Sequence, residues 1–236
     1  MDQLALAFTP EKLEEAWHVF LTEFPLGLWE TVYVTLLSTL FAIVLGMPLG
    51  ILLVTGDEKG IHPLPKSLMK ALNIIINFLR SVPFLILMVM VIPLTRAIVG
   101  TSIGSVASIV PLVVAAFPFV ARLVESSLRE LDPNIIEMAQ SMGSSTAQII
   151  FRVMLPESVP SLISNATIAI TTILGYSAMS GIIGGGGLGK IAINYGYSRY
   201  KYAVLYLAVI VLVLLVQVFQ SVGTRLAARL DKRIKK

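Results

Sequence analysis

The stretch most suggestive of chemistry is rich in glycine and runs from Gly184 to Lys190. Its spacing matches most of a phosphate-binding P-loop and all of a Gly-x-Gly-x-x-Gly dinucleotide fingerprint. Both patterns need a strand before the glycines, and the P-loop needs Ser or Thr where Ile191 stands. No βα unit is predicted around the stretch. We therefore expect its glycines to end a helix and to allow close backbone approach or a flexible gate.

Other side chains that perform catalysis or bind metals are sparse. The chain has no cysteine, which excludes disulfides, thiolate metal sites and cysteine nucleophiles. Its two histidines, His18 and His62, stand in separate polar segments. No nucleophile–base pair or acidic dyad occurs within the apolar runs. The sequence predicts no enzyme activity, no metal site and no cofactor.

The composition indicates that lipid surrounds most of the chain. Of 236 residues 56% are hydrophobic and 14% are charged, and the mean hydropathy is +0.85. A soluble domain carries about 25% charged residues. The net charge of +4 does not indicate nucleic-acid binding, because the basic residues cluster at the ends of apolar runs without interleaved aromatic residues.

Five apolar runs are long enough to cross a bilayer, which takes about 20 residues in a helix. They are Leu26–Val54, Ile74–Ile98, Ile103–Ala121, Leu162–Ile183 and Tyr202–Val222. Backbone groups in lipid must bond within their own segment, so each run is predicted to be a helix. We expect kinks at five prolines: Pro48, Pro83, Pro93, Pro111 and Pro118. The fold class is therefore all-α, a polytopic membrane protein with five transmembrane helices.

The distribution of basic residues predicts the orientation. If the N-terminus is outside, the outer segments hold five of the 18 Lys and Arg residues: Lys12, Arg96, Lys190, Arg199 and Lys201. The other thirteen are then inside, as the positive-inside rule requires. We expect the N-terminus outside, the C-terminus in the cytoplasm, and the long loop after the third run in the cytoplasm.

Two terminal segments flank the transmembrane domain, which is predicted over residues 26–223. The segment 1–25 begins a helix at Thr9-Pro10, with Thr9 as cap and Pro10 as first residue. Its apolar residues recur at helical spacing, which indicates an amphipathic helix on the outer membrane surface or a short helix packed on the bundle. The segment 224–236 is a basic tail suited to anionic lipid headgroups.

The cytoplasmic loop over residues 131–156 predicts two short helices joined at a glycine. Asp132 is placed to cap the first helix, and Gly143 suits the left-handed residue that ends it. A capping box at Ser145–Gln148 begins the second helix. One apolar face of the first helix combines four residues at helical spacing: Ile135, Met138, Ala139 and Met142. The pattern by itself leaves open an interfacial helix pair without a partner, or a helix that fits a partner's groove.

The order of residues in this loop resembles the docking loop of the permease subunits of ABC importers. That family pattern is Glu-Ala-Ala, three residues, Gly, nine residues and Ile-x-Leu-Pro. Here Glu137-Met138-Ala139, Gly143 and Val153-Met154-Leu155-Pro156 stand at the same spacing. The two departures, at Met138 and Val153, are mild and apolar.

The resemblance extends to three further segments, which look like those of methionine-import permeases. They are Glu30–Thr35, Arg80–Phe84, and the stretch Gly175–Gly189 followed by Tyr195–Tyr197. The likeness covers nearly the whole chain. The docking loop indicates ABC importers in general, and the glycine-rich stretch narrows the cargo to methionine.

This resemblance implies a set of partners in the inner (plasma) membrane of a bacterium. Two copies of the chain form the pore, two ABC ATPase subunits bind below, and an extracytoplasmic substrate-binding protein delivers the amino acid. The chain is then a transport subunit that works by alternating access. The residues expected to dock on the ATPase are Ile135, Glu137, Met138, Ala139, Met142 and Gly143.

Polar side chains in the fourth apolar run predict a substrate pathway, because polar groups within a membrane span are commonly functional. The candidates are Asn165, Thr172, Ser177, Met179 and Ser180. The other interpretation is that the hydroxyl groups bond to backbone carbonyls of their own helix.

Two alternative functions stay open. One is a permease for another small solute, such as a different amino acid or a quaternary amine. The other is an ion-coupled secondary transporter, which usually carries buried charges in its spans. The nearly charge-free runs of this chain disfavour the second alternative.

Overall fold

The computed structural model describes residues 9–231, which fold into helices without a β-strand among them. The main helices are α1 Pro10–Thr22, α2 Phe24–Thr55, α3 Lys66–Ser81, α4 Phe84–Met90, α5 Ile92–Val99, α6 Ser105–Arg129, α7 Pro133–Ser141, α8 Thr146–Ile149, α9 Val159–Ser180, α10 Gly187–Ile191 and α11 Tyr202–Leu230. Wider π-helical turns follow α8 at Ile150–Met154 and α10 at Ala192–Tyr197. The predicted all-α class is confirmed. The predicted basic residues from Lys232 onward lie outside the described residues, as do residues 1–8.

Four helices within residues 9–231 are long and apolar enough to cross a membrane. They are α2, α6, α9 with the turn that follows it, and α11. A fifth crossing would be formed by α3 and α4 together, which meet at an angle of 107°. The polytopic architecture therefore agrees with the sequence prediction, and the second span is bent at Pro83, one of the expected kinks.

The second predicted run, Ile74–Ile98, is interrupted at Pro83 and Pro93, where kinks were expected, but its boundaries differ from the prediction. The helix starts earlier, at Lys66, and ends at Ser81, after which Val82 is extended with a ψ of 126°. Pro83 explains this break, because its ring disfavours helical conformation in the residue before it. A second interruption precedes Pro93, which lies in the first turn of α5.

The helices continue through the other three prolines, namely Pro48, Pro111 and Pro118. The third and fifth predicted runs are also too short. Helix α6 continues past Ala121 to Arg129, and α11 continues past Val222 to Leu230. The α6 extension carries charged residues that bond to one another: Arg122 and Glu125 form an ion pair at 2.6 Å.

The contacts of the chain divide it into two compact units. The first unit comprises Met1–Thr39, Phe84–Val113 and Ile170–Phe219. The second comprises Leu40–Pro83, Val114–Ala169 and Gln220–Lys236. The docking-loop prediction falls in the second unit, and the glycine-rich stretch falls in the first.

The first unit includes helix α1. The sequence left open whether this helix lies on the membrane surface or packs on the bundle. One side of α1 packs into the hydrophobic core, where Ala16 and Val19 are buried with Leu188 and Val204. Another side is exposed and apolar: Leu13, Trp17 and Leu21. Helix α1 is therefore packed on the unit and still presents an apolar stripe. Thr9 stands at the predicted cap position, but its side chain makes no capping hydrogen bond.

The second unit contains a close crossing of α2 and α6. A Cβ atom added at Gly46 would lie 2.8 Å from the carbonyl oxygen of Phe117, and one at Gly50 would lie 2.6 Å from that of Ala121. The Gly-x-x-x-Gly spacing therefore lets the two backbones approach closely, as in membrane helix pairs. This contact lies within one chain.

Candidate docking loop and transport site

The docking loop has the local structure that its sequence predicts. The carboxylate of Asp132 accepts a hydrogen bond from the backbone amide of Asn134 at 3.0 Å, which caps α7. Gly143 follows the helix with a φ of +77°, in the left-handed region that favours glycine. At α8 the Ser145 side chain and the Gln148 side chain each bond to the other residue's backbone amide, a complete capping box.

The prediction of a single apolar face on α7 is only partly right. Ala139 is 4% exposed and Ile135 is half-buried, so these side chains face the protein. Met138 and Met142 lie one turn apart and point outward, with 59% and 74% of their surface exposed. Ala139 is buried within the chain and contributes to the packing of α7. Glu137 is also exposed.

A third exposed apolar side chain in the loop, Phe151, escaped the sequence prediction. It lies in the π-helical turn Ile150–Met154, against which α7 packs, and 67% of its surface is exposed. We call Met138, Met142 and Phe151 the docking patch. The sequence feature that could have identified Phe151 is a large aromatic residue next to Arg152 in a polar loop. π-Helical turns occur frequently at functional sites.

A charged network lies at the base of the docking loop. Arg129, the last residue of α6, donates to the carboxylate of Asp57 at 2.9 Å and to that of Glu125 at 3.0 Å. The Arg129 side chain and the backbone amide of Glu58 both donate to Asp57, and together they hold its pKa below the ordinary value. The segment after α2 is therefore bonded to the end of α6, beside a groove of about 460 Å³ that Ile136 and Glu137 of α7 also line.

The same network reaches α3. The Arg122 guanidinium donates to the side-chain oxygens of Asn73 at 2.7 Å and Asn77 at 3.0 Å. These residues lie one turn apart on α3. The polar side of this amphipathic helix is thereby bonded to α6.

The predicted pathway residues do not form one cluster. Asn165 belongs to the second unit, where its amide donates to the carbonyl of Leu123 at 3.1 Å and to the Ser127 hydroxyl at 2.8 Å. These bonds join α9 to α6. The other four residues lie in the first unit, where Thr172 is half-buried.

Ser177, Met179 and Ser180 near the end of α9 have different surroundings. Ser177 is 5% exposed and Ser180 is 1% exposed, and the Ser180 hydroxyl donates to the Ser177 carbonyl at 2.7 Å. Met179 is 38% exposed. The two serines are buried, whereas part of the Met179 side chain is exposed. Helix α9 also carries Tyr176, which was not among the predicted site residues. Its ring stacks on that of Phe84, with 4.6 Å between the ring centroids.

The residues Gly184–Gly189, which we call the glycine segment, form a tightly packed turn. The Gly185 amide donates to the Ser180 carbonyl at 2.9 Å, and the Gly104 amide donates to the Gly184 carbonyl at 2.8 Å. A Cβ atom at Gly189 would collide with the Ala178 carbonyl. The prediction of close backbone approach is confirmed: an added Cβ atom would lie within about 2.5 Å of another atom at Gly185, Gly186, Gly187 and Gly189, but not at Gly184.

A helical membrane fold with a capped, jointed loop between two long helices is the architecture of an importer permease. The profile of the family described as "Binding-protein-dependent transport system inner membrane component" matches residues 46–236. The chain belongs to this family, whose members are the membrane permeases of ABC importers.

Two relatives match over most of the chain. One, from Vibrio cholerae serotype O1, is 47% identical over 206 residues, which cover 87% of this chain and 91% of the relative. The other, from Pasteurella multocida, is 46% identical over 205 residues, which cover 86% and 94%. Both are called "Probable D-methionine transport system permease protein MetI".

Solved structures share the fold. A chain from "Inward facing conformations of the MetNI methionine ABC transporter", in its native crystal form, aligns with a TM-score of 0.85 and 44% identity. The alignment covers 87% of this chain and 95% of that chain. A chain of an "amino acid ABC transporter with histidines" aligns with a TM-score of 0.67 at 18% identity, over 93% of this chain and 96% of that one, which shows the fold alone.

Proposed function

We propose that this chain is the membrane-spanning permease subunit of an ATP-driven importer for methionine. Two copies form the pore, and two ATPase subunits bind at the 131–156 loop. An extracytoplasmic binding protein delivers the cargo. ATP binding closes the ATPase pair and moves the docking loops, which switches the pore between inward-open and outward-open states.

The observation that carries the proposal is the docking patch on a rigidly capped loop. Met138, Met142 and Phe151 expose more than half of their surface on a segment with charged and polar neighbours. Exposed clusters of large apolar residues mark interaction sites. Methionine side chains adapt well to the groove of a partner protein.

The helix caps of the loop, the left-handed backbone conformation of Gly143 and the ion pair of Arg129 support a mechanical role for the loop. Asp132, Gly143 and Ser145 fix both of its short helices, and Arg129 bonds to the segment beside it. A force on Met142 then displaces a preformed unit. Folding a disordered segment would instead absorb part of the interaction free energy.

Methionine as cargo is supported by the near full-length similarity to permeases that carry that name. Met179, the one apolar member of the pathway candidates, suits contact with a thioether side chain, and the polar members suit the charged amino and carboxylate groups. We propose that Met179, exposed at the end of α9, faces the cargo, and that Thr172 lies along the same route. Ser177 and Ser180 shape that end of the helix from its buried side, and Asn165 joins the other end of α9 to α6.

We propose an orientation with the N-terminus outside and the C-terminus in the cytoplasm. The unequal distribution of basic residues supports it. The docking loop is then cytoplasmic, and α1 and the glycine segment are on the outer side. Trp17 on α1 and Trp29 near the start of α2 are exposed, as suits a membrane–water interface on that side.

Reconstitution tests this function. The chain, its ATPase subunits and the binding protein are placed in proteoliposomes, and the uptake of labelled methionine is measured with and without ATP. We expect accumulation that needs ATP and all three proteins, and that unlabelled methionine inhibits more strongly than other amino acids. Uptake driven by an ion gradient without the ATPase would refute the proposal.

A further inference from the structure

We infer that Glu30, together with Thr31, is a positioning residue of the transport cycle that fixes the glycine segment and the adjoining end of α9. The inference rests on the proposed function. Glu30 is in the first third of α2 and is the one charged residue of this mostly apolar helix. Charged residues in such a setting are costly in free energy and usually have a defined partner.

The partner of Glu30 is 157 positions away along the chain. Its carboxylate accepts a hydrogen bond from the backbone amide of Gly187 at 2.6 Å. The next residue, Thr31, accepts one from the amide of Leu188 at 2.9 Å, and the same hydroxyl donates to the Gly27 carbonyl at 2.9 Å. Two consecutive side chains of α2 thus bond to two consecutive amides of α10.

These two amides are the first in α10 and have no acceptor within their own helix. A helix usually satisfies such groups with a Ser, Thr, Asp or Asn at its cap position. In α10 that position is Gly186, which has no side chain to bond with. A Cβ atom there would collide with the hydroxyl of Ser105 and would lie 2.5 Å from the Glu30 carboxylate. The packing therefore excludes a local cap, and α2 supplies it instead.

The cap also determines where α9 ends. A Cβ atom at Gly181 would lie 2.5 Å from the backbone of Gly189 and Lys190, so the end of α9 and the start of α10 are in direct backbone contact. Gly187 has a φ of +78°, and Leu188 is fully buried. If the two hydrogen bonds from α2 are lost, this contact loses its support. Met179 then loses its fixed position.

Glu30 is thus distinct from the residues proposed to face the cargo. It acts through the backbone of the glycine segment, and its oxygen is needed as an acceptor. A Gln side chain keeps an acceptor oxygen, whereas Leu has a similar size and none. We therefore expect Glu30→Gln to be tolerated and Glu30→Leu to be harmful.

The first test compares methionine uptake by the reconstituted transporter. A hydrogen bond to a charged group accounts for at least about a tenfold change in an equilibrium. We expect Glu30→Leu to lower uptake by about that factor and Glu30→Gln to keep more than half of it. Glu14→Leu is the matched control, because Glu14 is exposed on α1 in the same unit, and it should match the wild type.

The second test measures the mobility of the segment that follows α9. The chain has no cysteine, so Ile182→Cys introduces a single labelling site. Ile182 is 54% exposed and follows α9 by two residues. We expect a spin label there to show one slow component in the wild-type background and in Glu30→Gln, and an added fast component in Glu30→Leu.

If Glu30→Leu does not assemble, Thr31→Val removes the second hydrogen bond with little change of shape, and Thr31→Ser keeps it. Thr31→Val should lower uptake and mobilise the label, whereas Thr31→Ser should do neither. Full uptake by Glu30→Leu or Thr31→Val would overturn the inference. Loss of uptake with an unchanged label spectrum would also overturn it. Failure of the wild-type complex to transport methionine would instead refute the proposed function.

Discussion

The guanidinium of Arg129 lies 2.9 Å from the carboxylate of Asp57, 72 positions earlier in the chain. This ion pair joins the segment after α2 to the last residue of α6. Glu125 bonds to the same arginine at 3.0 Å. The charges at the base of the docking loop are therefore paired across two elements.

The Asp57–Arg129 pair predicts a stability that depends on pH. Folding lowers the pKa of Asp57, so its contribution is complete above the unfolded value of about 3.9 and declines as the pH falls through the lower folded value. Both side chains are nearly half exposed, and such pairs contribute about 0.2–1 kcal/mol. Melting curves in detergent should show Asp57→Asn slightly less stable at pH 7. The difference should shrink below about pH 4 and in high salt. A difference that grew on acidification would contradict this assignment.

The docking patch predicts which substitutions weaken ATPase binding. Met138→Ala and Met142→Ala remove exposed apolar surface, and a truncated interface anchor costs more than about 1 kcal/mol. We expect the double variant to bind the ATPase at least about tenfold more weakly, measured by co-purification or by titration in nanodiscs. Its own melting temperature should stay the same, because neither side chain is buried. Met90→Ala, at another exposed methionine, is the control that should keep full binding.

Gly143 predicts a conformational effect at the joint of the loop. Its φ of +77° is unfavourable for residues with a Cβ atom, although no atom lies within 4 Å of the added Cβ. Gly143→Val should therefore cost about 1–2 kcal/mol by strain alone and should uncouple ATP hydrolysis from uptake. Gly143→Asn should retain most uptake, since Asn tolerates this conformation. Equal loss in both variants would indicate a contact with the partner and not backbone strain.

Gly50 predicts a steric effect inside the second unit. Even the methyl group of Gly50→Ala would lie 2.6 Å from the Ala121 carbonyl and from the Val124 Cβ atom, so α2 and α6 must separate. Overpacking of this kind costs about 1–3 kcal/mol. Thermal unfolding in detergent should show that loss. Gly175→Ala is the matched control, because nothing lies within 4 Å of an added Cβ there, and its stability should not fall.

Glu137→Lys reverses the charge of an exposed side chain of α7 that lines the groove beside Asp57 and Arg129. Glu137 is exposed, so the variant should reach the membrane at the normal level. A reversed charge at an interface changes the rate and strength of association. We expect weaker ATPase binding and slower uptake, measured in the same vesicles as the Met138 and Met142 variants. Glu157→Lys, exposed beyond the π-helical turn, is the comparison variant and should have the smaller effect.

The parts of the fold that could be predicted are those with local causes. Asp132, Gly143 and Ser145 act on amides and dihedral angles within four residues of themselves, so their effect is visible in a short stretch of sequence. The lengths of the apolar runs likewise predicted four of the spans. The positions of prolines were a poorer guide to where helices end, because a helix ends just before Pro83 whereas α6 continues through Pro118. Which outcome occurs depends on neighbouring segments.

The parts that escaped prediction depend on contacts between distant residues. Nothing in the sequence around Glu30 indicates that its carboxylate accepts a hydrogen bond from the backbone amide of Gly187. The inward position of Ala139 and the outward position of Met138 depend on how α7 packs against Ile150–Met154. Helical spacing placed both on one face, and only packing shows which part of that face is covered.

The chain between the docking loop and α9 has almost no break in its helical hydrogen bonding. The π-helical turn Ile150–Met154 leads into the helical turn Leu155–Glu157 and, after Ser158 alone, into α9. The Ser158 amide still donates to the Met154 carbonyl at 3.1 Å, and the Leu162 amide donates to the Ser158 carbonyl at 2.8 Å. Such a connection contains almost no segment without helical hydrogen bonds. A torque applied at the loop would therefore reach α9 as a rotation and would not be dissipated in a flexible linker.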